Sequence, residues 1–313
     1  PLSMPALARR LKNISKAVVH KVFVHGQRFG LDVLPRHFYS EIPFIRELRE
    51  SCLWRKPYSL VGLAGVDVPV QAEFLNSLCT AAVREYLSRE NVFASACAMN
   101  GEPGYGEIEA DVLFAFVATK RPRQIFQIGC GVSTAVCLLA AQYADYQPEM
   151  ICVDPHPTRF LIQQHQRGAI ELIRRKAQSI DLESIQQLGE DLLFFVDSTH
   201  ALGPAGECSR IILEMLPRLK PRAGVHFHDI FFPYDYPRNA LTTLFFSHES
   251  VLLHAFLAYN PRFRIAAALS LLHYFGPREL AACFPRYRPA ADDHGLAHGQ
   301  GHFPSSLYLD VLA

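Results

Sequence analysis

The side chains best suited to catalysis follow two continuous apolar runs. The run LLFFV is followed by Asp197 and, three residues later, by His200. A second run, GVHF, is followed by His228 and Asp229. Buried carboxylates and imidazoles are costly unless they pair or bind a metal ion, so two such clusters at strand ends indicate a functional site.

The residue types suggest a cation and a base. Asp197, His228 and Asp229 are candidate ligands of one divalent cation. Oxygen ligands favour Mg²⁺ or Mn²⁺, whereas a nitrogen ligand from His228 would allow Fe²⁺ or Zn²⁺. His200 is the candidate general base, because an imidazole can take a proton from a hydroxyl near neutral pH. The alternative is an Asp–His network that only satisfies its own hydrogen bonds, and His226 is expected to be structural.

A glycine turn, QIGCGVST, follows an earlier apolar run and opens a predicted helix. Gly129, Gly131 and Ser133 are candidate cofactor-binding residues, because glycines let the backbone approach a ligand closely. Asp154 ends the next predicted strand, where an acid can accept hydrogen bonds from two ribose hydroxyls. The alternatives are a tight strand–helix connection and a carboxylate that caps the following helix.

The form of the glycine turn bears on which cofactor is bound. The pattern is G-x-G-x-S rather than G-x-G-x-x-G, so it offers less to a pyrophosphate than a dinucleotide site does. This favours S-adenosylmethionine over NAD. Gln178 and Asp197 are further candidate contacts of the cofactor.

Strands and helices must alternate to bring these residues together. Apolar runs predict strands at 123–129, 149–154, 191–197 and 223–230, with candidate final strands at 262–269 and 305–312. Helices are predicted at 107–120 (amphipathic), 133–144, 158–166, 181–189, 207–220 and 240–259, while 169–177 fits either a strand or a helix tail. Continuous rather than alternating apolar runs are typical of strands buried on both faces. The prediction is a Rossmann-like, doubly wound α/β sheet, mostly parallel with an antiparallel last strand.

Two domains are predicted. Residues 1–103 resemble helices joined by proline-containing loops, and the loop signal NGEPGYG separates them from a Rossmann-like domain at 104–313. The first 31 residues carry Lys and Arg but no acid, with apolar residues at helical spacing. This indicates a helix packed on its own domain or on a second copy of the chain, which makes a homo-oligomer the expectation; a transit peptide or membrane-surface helix is the alternative.

Composition narrows the class of protein. The 313 residues are 50% hydrophobic and carry a net charge of +1, which supplies a large core but gives no reason to expect a nucleic-acid partner. The eight cysteines form no C-x-x-C pair and several lie in apolar runs, so a reducing, cytoplasmic location is expected. An integral membrane segment is not expected, because no apolar stretch is long enough to span a bilayer.

Two further segments allow more than one interpretation. FFPYDYP, residues 231–237, could form the wall of an aromatic substrate pocket or a rigid packing loop. The glycine-rich stretch with His294, His298 and His302 could bind metal or form a mobile lid.

From about residue 34 onward the chain resembles the class I methyltransferases of methyltransferase family 24. The matching stretches are LPRHFYSEIP, YGEIEADVL, QIGCGVST, LLFFVDSTH, LPRLKPRAGVHFHDIFFPYDYP and HAFLAYN. The resemblance is more distant to metal-dependent O-methyltransferases of catechols and macrolide sugars. It implies that Asp197, His228 and Asp229 bind the cation and that His200 is the base.

The chain departs from the family pattern at two positions. Gln127 stands where an acid normally helps bind the methionine ammonium of the cofactor, and Glu109 or Glu107 could supply the missing charge. His228 stands where the family has a carboxylate, which affects the choice of metal.

The function expected is methyl transfer from S-adenosylmethionine to a small-molecule hydroxyl, assisted by a metal ion. An NAD-dependent oxidoreductase is the first alternative, although Ser133 occupies the place of the third glycine. A catalytically silent protein that binds the cofactor or a partner is the second.

Overall fold

The structure is a computed structural model. It describes residues 4–36, 40, 42–51, 53–237, 240–241, 243, 245–289 and 302–313, and side chains are described from residue 16 onward. The chain divides into two compact units, Pro1–Phe44 and Ile45–Ala313. The first contains helix α1 (Met4–Gln27). Among the described residues, no helix has both the length and the apolar character needed to cross a membrane.

Within the described part of the second unit, seven strands form one sheet in the order β3-β2-β1-β4-β5-β7-β6. The strands are β1 (Gln124–Ile128), β2 (Glu149–Val153), β3 (Glu171–Ile173), β4 (Leu192–Val196), β5 (Gly224–Phe227), β6 (Phe263–Ala268) and β7 (Leu307–Val311). Strands β1 to β5 run parallel, and β7 inserts antiparallel between β5 and β6. The predicted Rossmann-like sheet with an antiparallel last strand is confirmed.

The helices lie before, between and after the strands. They are α2 (Ile45–Glu50), α3 (Val68–Leu78), α4 (Ala81–Arg89), α5 (Val92–Asn100), α6 (Glu107–Lys120), α7 (Val132–Tyr143), α8 (Arg159–Gln166), α9 (Leu182–Gln187), α10 (Glu207–Arg210), α11 (Glu249–Leu257), α12 (Leu269–Phe275) and α13 (Pro277–Cys283). After α10 the chain continues through a π-helical turn, Ile211–Met215, and a 3₁₀ turn, Leu216–Arg218. The predicted helix 207–220 is therefore helical but irregular.

The core explains why the strands read as unbroken apolar runs. All five residues of β4 are buried, and Phe194 stacks on Phe126 of β1 with ring centroids 5.5 Å apart. Helix α6 is buried from Ile108 to Ala118. Its position was predicted correctly, but the helix is buried on all sides rather than amphipathic. It packs against α3, α5 and α7, which cover the face that the prediction left to solvent.

The predicted domain boundary after residue 103 lies inside the second compact unit. Helix α3 packs on β6, and α5 packs on α7. The helices from residue 68 to residue 100 thus share one core with the sheet.

The predicted helix 240–259 is wrong in its first half. Helix α11 begins only at Glu249, because Ser247 Oγ and the backbone N–H of His248 both donate to the carbonyl oxygen of His200 at 3.3 Å. These tertiary bonds hold the segment before α11 in a non-helical conformation next to the end of β4.

The aromatic segment after β5 packs inward. Phe231 and Phe232 are buried, and the carbonyl of Pro233 accepts a hydrogen bond from the backbone of Tyr58 at 2.7 Å. This favours the packing interpretation over a substrate wall. Of the three histidines considered as a metal site, His294 and His298 lie outside the described residues, and His302 Nε2 is 2.9 Å from Glu107.

Candidate active site

The glycine turn after β1 lies against the end of β4. Gly129 adopts φ +79°, and a Cβ on it would come within 1.7 Å of the carbonyl oxygen of Asp197. Only glycine fits so close an approach in this backbone region. The strand order changes direction between β1 and β4, which is the place where open α/β sheets bind ligands.

Asp154 supports this turn. One carboxylate oxygen accepts from the backbone N–H of Cys130 at 3.1 Å, and the other from that of His156 at 2.7 Å. The cap of the next helix is Thr158, whose hydroxyl accepts from Leu161 N, so the capping role considered for Asp154 is wrong. A carboxylate that accepts two hydrogen bonds retains further lone pairs for ribose hydroxyls.

A cavity of about 510 Å³ opens at this strand crossover. Its walls come from the ends of β1, β2 and β4 and from the segments after β3 and β4, including Gly129, Val153, Pro155, Gln178 and Asp197. The volume lies within the range of about 300–1,000 Å³ that is usual for cofactor sites. The sequence-predicted residues Gly129, Gln178 and Asp197 are thereby brought to one surface.

Gln178 offers an unused acceptor in the cavity wall. Its Oε1 is buried and has no hydrogen-bond partner among the described residues. Buried polar atoms are normally satisfied, so an orphaned amide oxygen in a cavity wall fits a bound polar ligand.

The other predicted cofactor residues lie elsewhere. Ser133 is buried within α7, and Gly131 faces the side chain of Asn100. Gln127 is buried and accepts a hydrogen bond from Thr134 Oγ1 at 2.8 Å. None of these residues is among those that line the cavity, and Asp154 adjoins it only through its neighbours Val153 and Pro155.

Four titratable groups meet at the ends of β4 and β5. His200 Nε2 is 3.3 Å from Asp197 Oδ1 and 3.6 Å from Asp229 Oδ2, while His228 Nδ1 is 3.4 Å and 3.7 Å from the same two oxygens. Asp197, His200 and His228 each place a ligand atom within 4.8 Å of the others. Asp229, the third predicted ligand, is not part of that group of ligand atoms, although its Oδ2 faces both imidazoles. We call these four residues the carboxylate–imidazole cluster.

The charges in the cluster are mutually dependent. Burial opposes ionisation of Asp197, yet the imidazoles of His228 and His200 hold its pKa well below the ordinary value. Burial likewise opposes charge on the two imidazoles. The carboxylates of Asp197, Glu249 and Asp229 nevertheless raise the pKa of His200 to about 10. Those of Asp197, Asp229 and Glu109 raise the pKa of His228 to about 9. Positive charge is thus strongly favoured between the two carboxylates, whether a proton or a cation supplies it.

Glu109 and Tyr105 border the cluster from the segment at the start of α6. Glu109 Oε1 lies 4.0 Å from His228 Nε2 and accepts from the backbone N–H of Ser305 at 2.9 Å. Burial raises the pKa of Glu109, opposed by His228. The Tyr105 ring is 4.7 Å from that of His228. Glu109 therefore lies beside the cluster, and it is not among the residues that line the cavity.

His226 is structural, as its alternation in the strand suggested. It is fully buried, and its ring stacks on Phe195 with centroids 4.3 Å apart. Its Nε2 lies within hydrogen-bond distance of Tyr105 Oη and Ser306 Oγ. Burial, aided by His228, holds its pKa well below the ordinary value, so it stays neutral.

Sequence analysis did not identify Glu249 as a site residue. Its carboxyl is fully buried, and its Oε2 is 2.7 Å from His200 Nδ1. The residue lies in the first turn of α11, 49 positions after His200. Only the folded chain shows that it adjoins the cluster.

Residues 126–230 match the methyltransferase family 24 model, described as a methyltransferase domain. The matched segment runs from β1 past the end of β5 and contains the glycine turn and the whole carboxylate–imidazole cluster. The segment is thereby identified as a methyltransferase domain. The oxidoreductase alternative is set aside.

Similar proteins include an uncharacterized protein of Archaeoglobus fulgidus, 26% identical over 172 residues, or 51% of this chain and 75% of the relative. Among solved structures, the SAH-bound methyltransferase PaMTH1 of Podospora anserina is similar at 12% identity and TM-score 0.40, with 90% of this chain and 100% of that chain covered. A putative O-methyltransferase of Klebsiella pneumoniae is similar at 15% identity and TM-score 0.43, with 74% and 97% covered.

Cofactor affinity is expected to depend on Asp154. Hydrogen bonds to a charged group contribute about 1.5–3 kcal/mol each, so Asp154→Ala should weaken binding of S-adenosylmethionine by about tenfold or more in calorimetry. Asp154→Asn, which keeps an acceptor for the turn, separates loss of charge from loosening of the backbone. Exposed Asp67, which makes no capping bond, provides the control Asp67→Ala. Unchanged affinity in folded Asp154→Ala would remove Asp154 from the site.

Proposed function

We propose that this methyltransferase methylates the oxygen of a small-molecule hydroxyl, with a divalent cation held by Asp197, His228 and Asp229 and with His200 as general base. One observation carries the proposal. Asp197 both lines the cavity at the strand crossover and contacts the two imidazoles of the cluster. A methyl donor in that cavity and a hydroxyl at the cluster would therefore adjoin the same side chain.

The cluster fits a cation by its chemistry. Two carboxylates and an imidazole face one another, with His228 Nδ1 3.4 Å from Asp197 Oδ1 and 3.7 Å from Asp229 Oδ2. The carboxylates favour a positive charge at this point, and a cation could supply it in place of the imidazole proton. Nitrogen with oxygen donors favours Mn²⁺, Fe²⁺ or Zn²⁺ over Mg²⁺. When bound, the cation supplies Lewis acidity that makes a hydroxyl easier to deprotonate.

The same cation would prepare His200 for its role. In its absence, the carboxylates favour a protonated imidazole, which cannot act as a base. Positive charge at Asp197 and Asp229 would compete with that proton and lower the pKa of His200, while Glu249 continues to raise it. His200 can then accept the hydroxyl proton at Nε2.

The reaction is a displacement at carbon. The acceptor oxygen forms a bond to the methyl carbon as the carbon–sulfur bond breaks, and the electron pair of that bond remains on the sulfur. The hydroxyl proton passes to His200 Nε2 and then to solvent. The protein contributes mainly alignment of donor and acceptor and removal of the proton.

The geometry favours a small acceptor. The side chains of Asp197 and Asp229 are 28% and 26% exposed, while those of His228 and His200 are only 12% and 8% exposed. A hydroxyl must therefore reach a recessed site, as that of a compact metabolite can.

The experiment is methyl transfer from labelled S-adenosylmethionine to a fractionated metabolite extract, with and without chelator. We expect label in small molecules, on oxygen by mass spectrometric fragmentation, and lost on chelation. Label found only on nitrogen or only on macromolecules would overturn the proposal. No transfer at saturating cofactor would instead support the silent, cofactor-binding alternative.

A second role for His200, as a ligand of the cation, is also supported by a distance. His200 Nε2 lies as close to the carboxylates as His228 Nδ1 does, and it belongs to the group of ligand atoms within 4.8 Å. His200 would then be a fourth ligand rather than the base. Metal titration of a His200 variant distinguishes the two roles.

A further inference from the structure

The carboxyl group of Glu249 is buried against the ring of His200. Its Oε2 lies 2.7 Å from His200 Nδ1, and the residue is 0% exposed. Its Oε1 is buried and has no hydrogen-bond partner among the described residues. Burial of a carboxyl is costly, so its close contact with the ring of His200 requires an explanation.

The chain next to Glu249 also holds the backbone of His200. Ser247 Oγ and His248 N both donate to the carbonyl oxygen of His200 at 3.3 Å. His200 has φ +57°, a left-handed conformation that is uncommon for non-glycine residues, although histidine is among the side chains enriched there. Residues 247–249 thus fix both the backbone and the ring of His200.

The contact decides which ring nitrogen faces the cluster. An ionised Glu249 can only accept, and in that state Nδ1 donates its hydrogen to Oε2. Nε2 then points to the other side of the ring, where it lies 3.3 Å from Asp197 Oδ1 and 3.6 Å from Asp229 Oδ2. Imidazoles at functional sites are commonly oriented by such a contact on the opposite nitrogen.

We propose that Glu249 is the positioning residue of His200, keeping the proton on Nδ1 and the lone pair of Nε2 directed at the cation and the acceptor hydroxyl. The functional part of this inference rests on the proposed role of His200 as a base. The contact itself belongs to the fold, so it can be tested even where no methyl acceptor is known.

The first test is spectroscopic and uses the full chain labelled with ¹⁵N-histidine and saturated with Zn²⁺, which is diamagnetic. Long-range ¹H–¹⁵N spectra report which nitrogen of each histidine carries the proton, and the His200 signals are those absent from His200→Gln. We expect a protonated Nδ1 in the wild type. A bare Nδ1 with the proton on Nε2 would overturn the proposal without any variant of Glu249.

The second test compares Glu249→Gln with the exposed control Glu279→Gln. A glutamine of equal size can either accept from Nδ1 or donate to it, so the preference for one tautomer should be lost and mixed signals should appear. We expect kcat to fall by about 10–100-fold, while the zinc content and the KM for S-adenosylmethionine stay unchanged. A purely structural role predicts a lower melting temperature with the tautomer and kcat retained, which would overturn the proposal.

The two tests separate this inference from the proposed function. If oxygen methylation fails but Nδ1 is protonated and Glu249→Gln alters it, the positioning contact stands and the function does not. If methylation proceeds and Glu249→Gln retains both tautomer and rate, the function stands and the positioning role is overturned.

Discussion

Replacing Asp197 with Asn is expected to abolish binding of the proposed divalent cation and to lower kcat by about 10³-fold or more. Asp197 contacts both imidazoles of the cluster and lines the cavity, so no other residue can take over its charge at that point. A metal ion contributes several kcal/mol of charge stabilisation, and each 1.36 kcal/mol is worth a factor of ten in rate. Initial rates at saturating S-adenosylmethionine, together with elemental analysis, measure both effects.

The matched control is Asp191→Asn. Asp191 directly precedes the same strand, β4, but lies at its opposite, exposed end. It should retain metal and activity. Full activity of the wild type in excess chelator, with no metal found by elemental analysis, would contradict the role of the cation and leave the methyltransferase assignment intact.

The ends of the parallel strands could be predicted from sequence because the relevant signal is local. Unbroken apolar runs mark strands buried on both faces, and carboxyl ends of parallel strands share one edge of the sheet. Asp197, His200, His228 and Asp229 therefore had to converge once their strands were placed. Gly129 was equally predictable, since its close approach to the backbone of Asp197 demands glycine.

Glu249 could not be predicted, because its role depends on contacts between distant segments. In the sequence it is one acid within an apolar stretch, which fits the solvent-facing position of a helix. In the fold, Ser247 and His248 donate hydrogen bonds to the carbonyl oxygen of His200. Helix α11 therefore begins only at Glu249, and the Glu249 side chain is buried beside His200. Helix α6 was misjudged for the same reason, since covering helices bury a face that its pattern left open.

The identity of the methyl acceptor also lies beyond the sequence pattern. Glycine turns and strand ends reflect requirements that are common to a fold. We expect acceptor recognition to depend instead on the particular side chains around the cluster, such as Tyr105, whose ring is 4.7 Å from that of His228. Tyr105 lies in the loop before α6 and adopts a positive φ of 66°. No sequence motif predicts this backbone conformation.

The second large effect is expected at His200. His200→Gln keeps a polar side chain of similar reach but cannot take up a proton, and a positioned base contributes about 10²–10⁴-fold. We expect kcat to fall by that factor, while calorimetry shows nearly unchanged affinity for S-adenosylmethionine. His254, a half-buried histidine of α11 that is absent from the cluster, provides the control His254→Gln.

Metal titration of the His200→Gln rate then decides between base and ligand. If His200 were a fourth ligand, its loss would weaken metal binding, and a higher metal concentration would restore much of the rate. If His200 removes the proton, metal content stays complete and the rate stays low at saturating metal and cofactor. The low rate should then recover in part as pH rises, because hydroxide replaces the missing base in proportion to its concentration. Rescue by metal without rescue by pH would reassign His200 as a ligand and leave deprotonation to the cation alone.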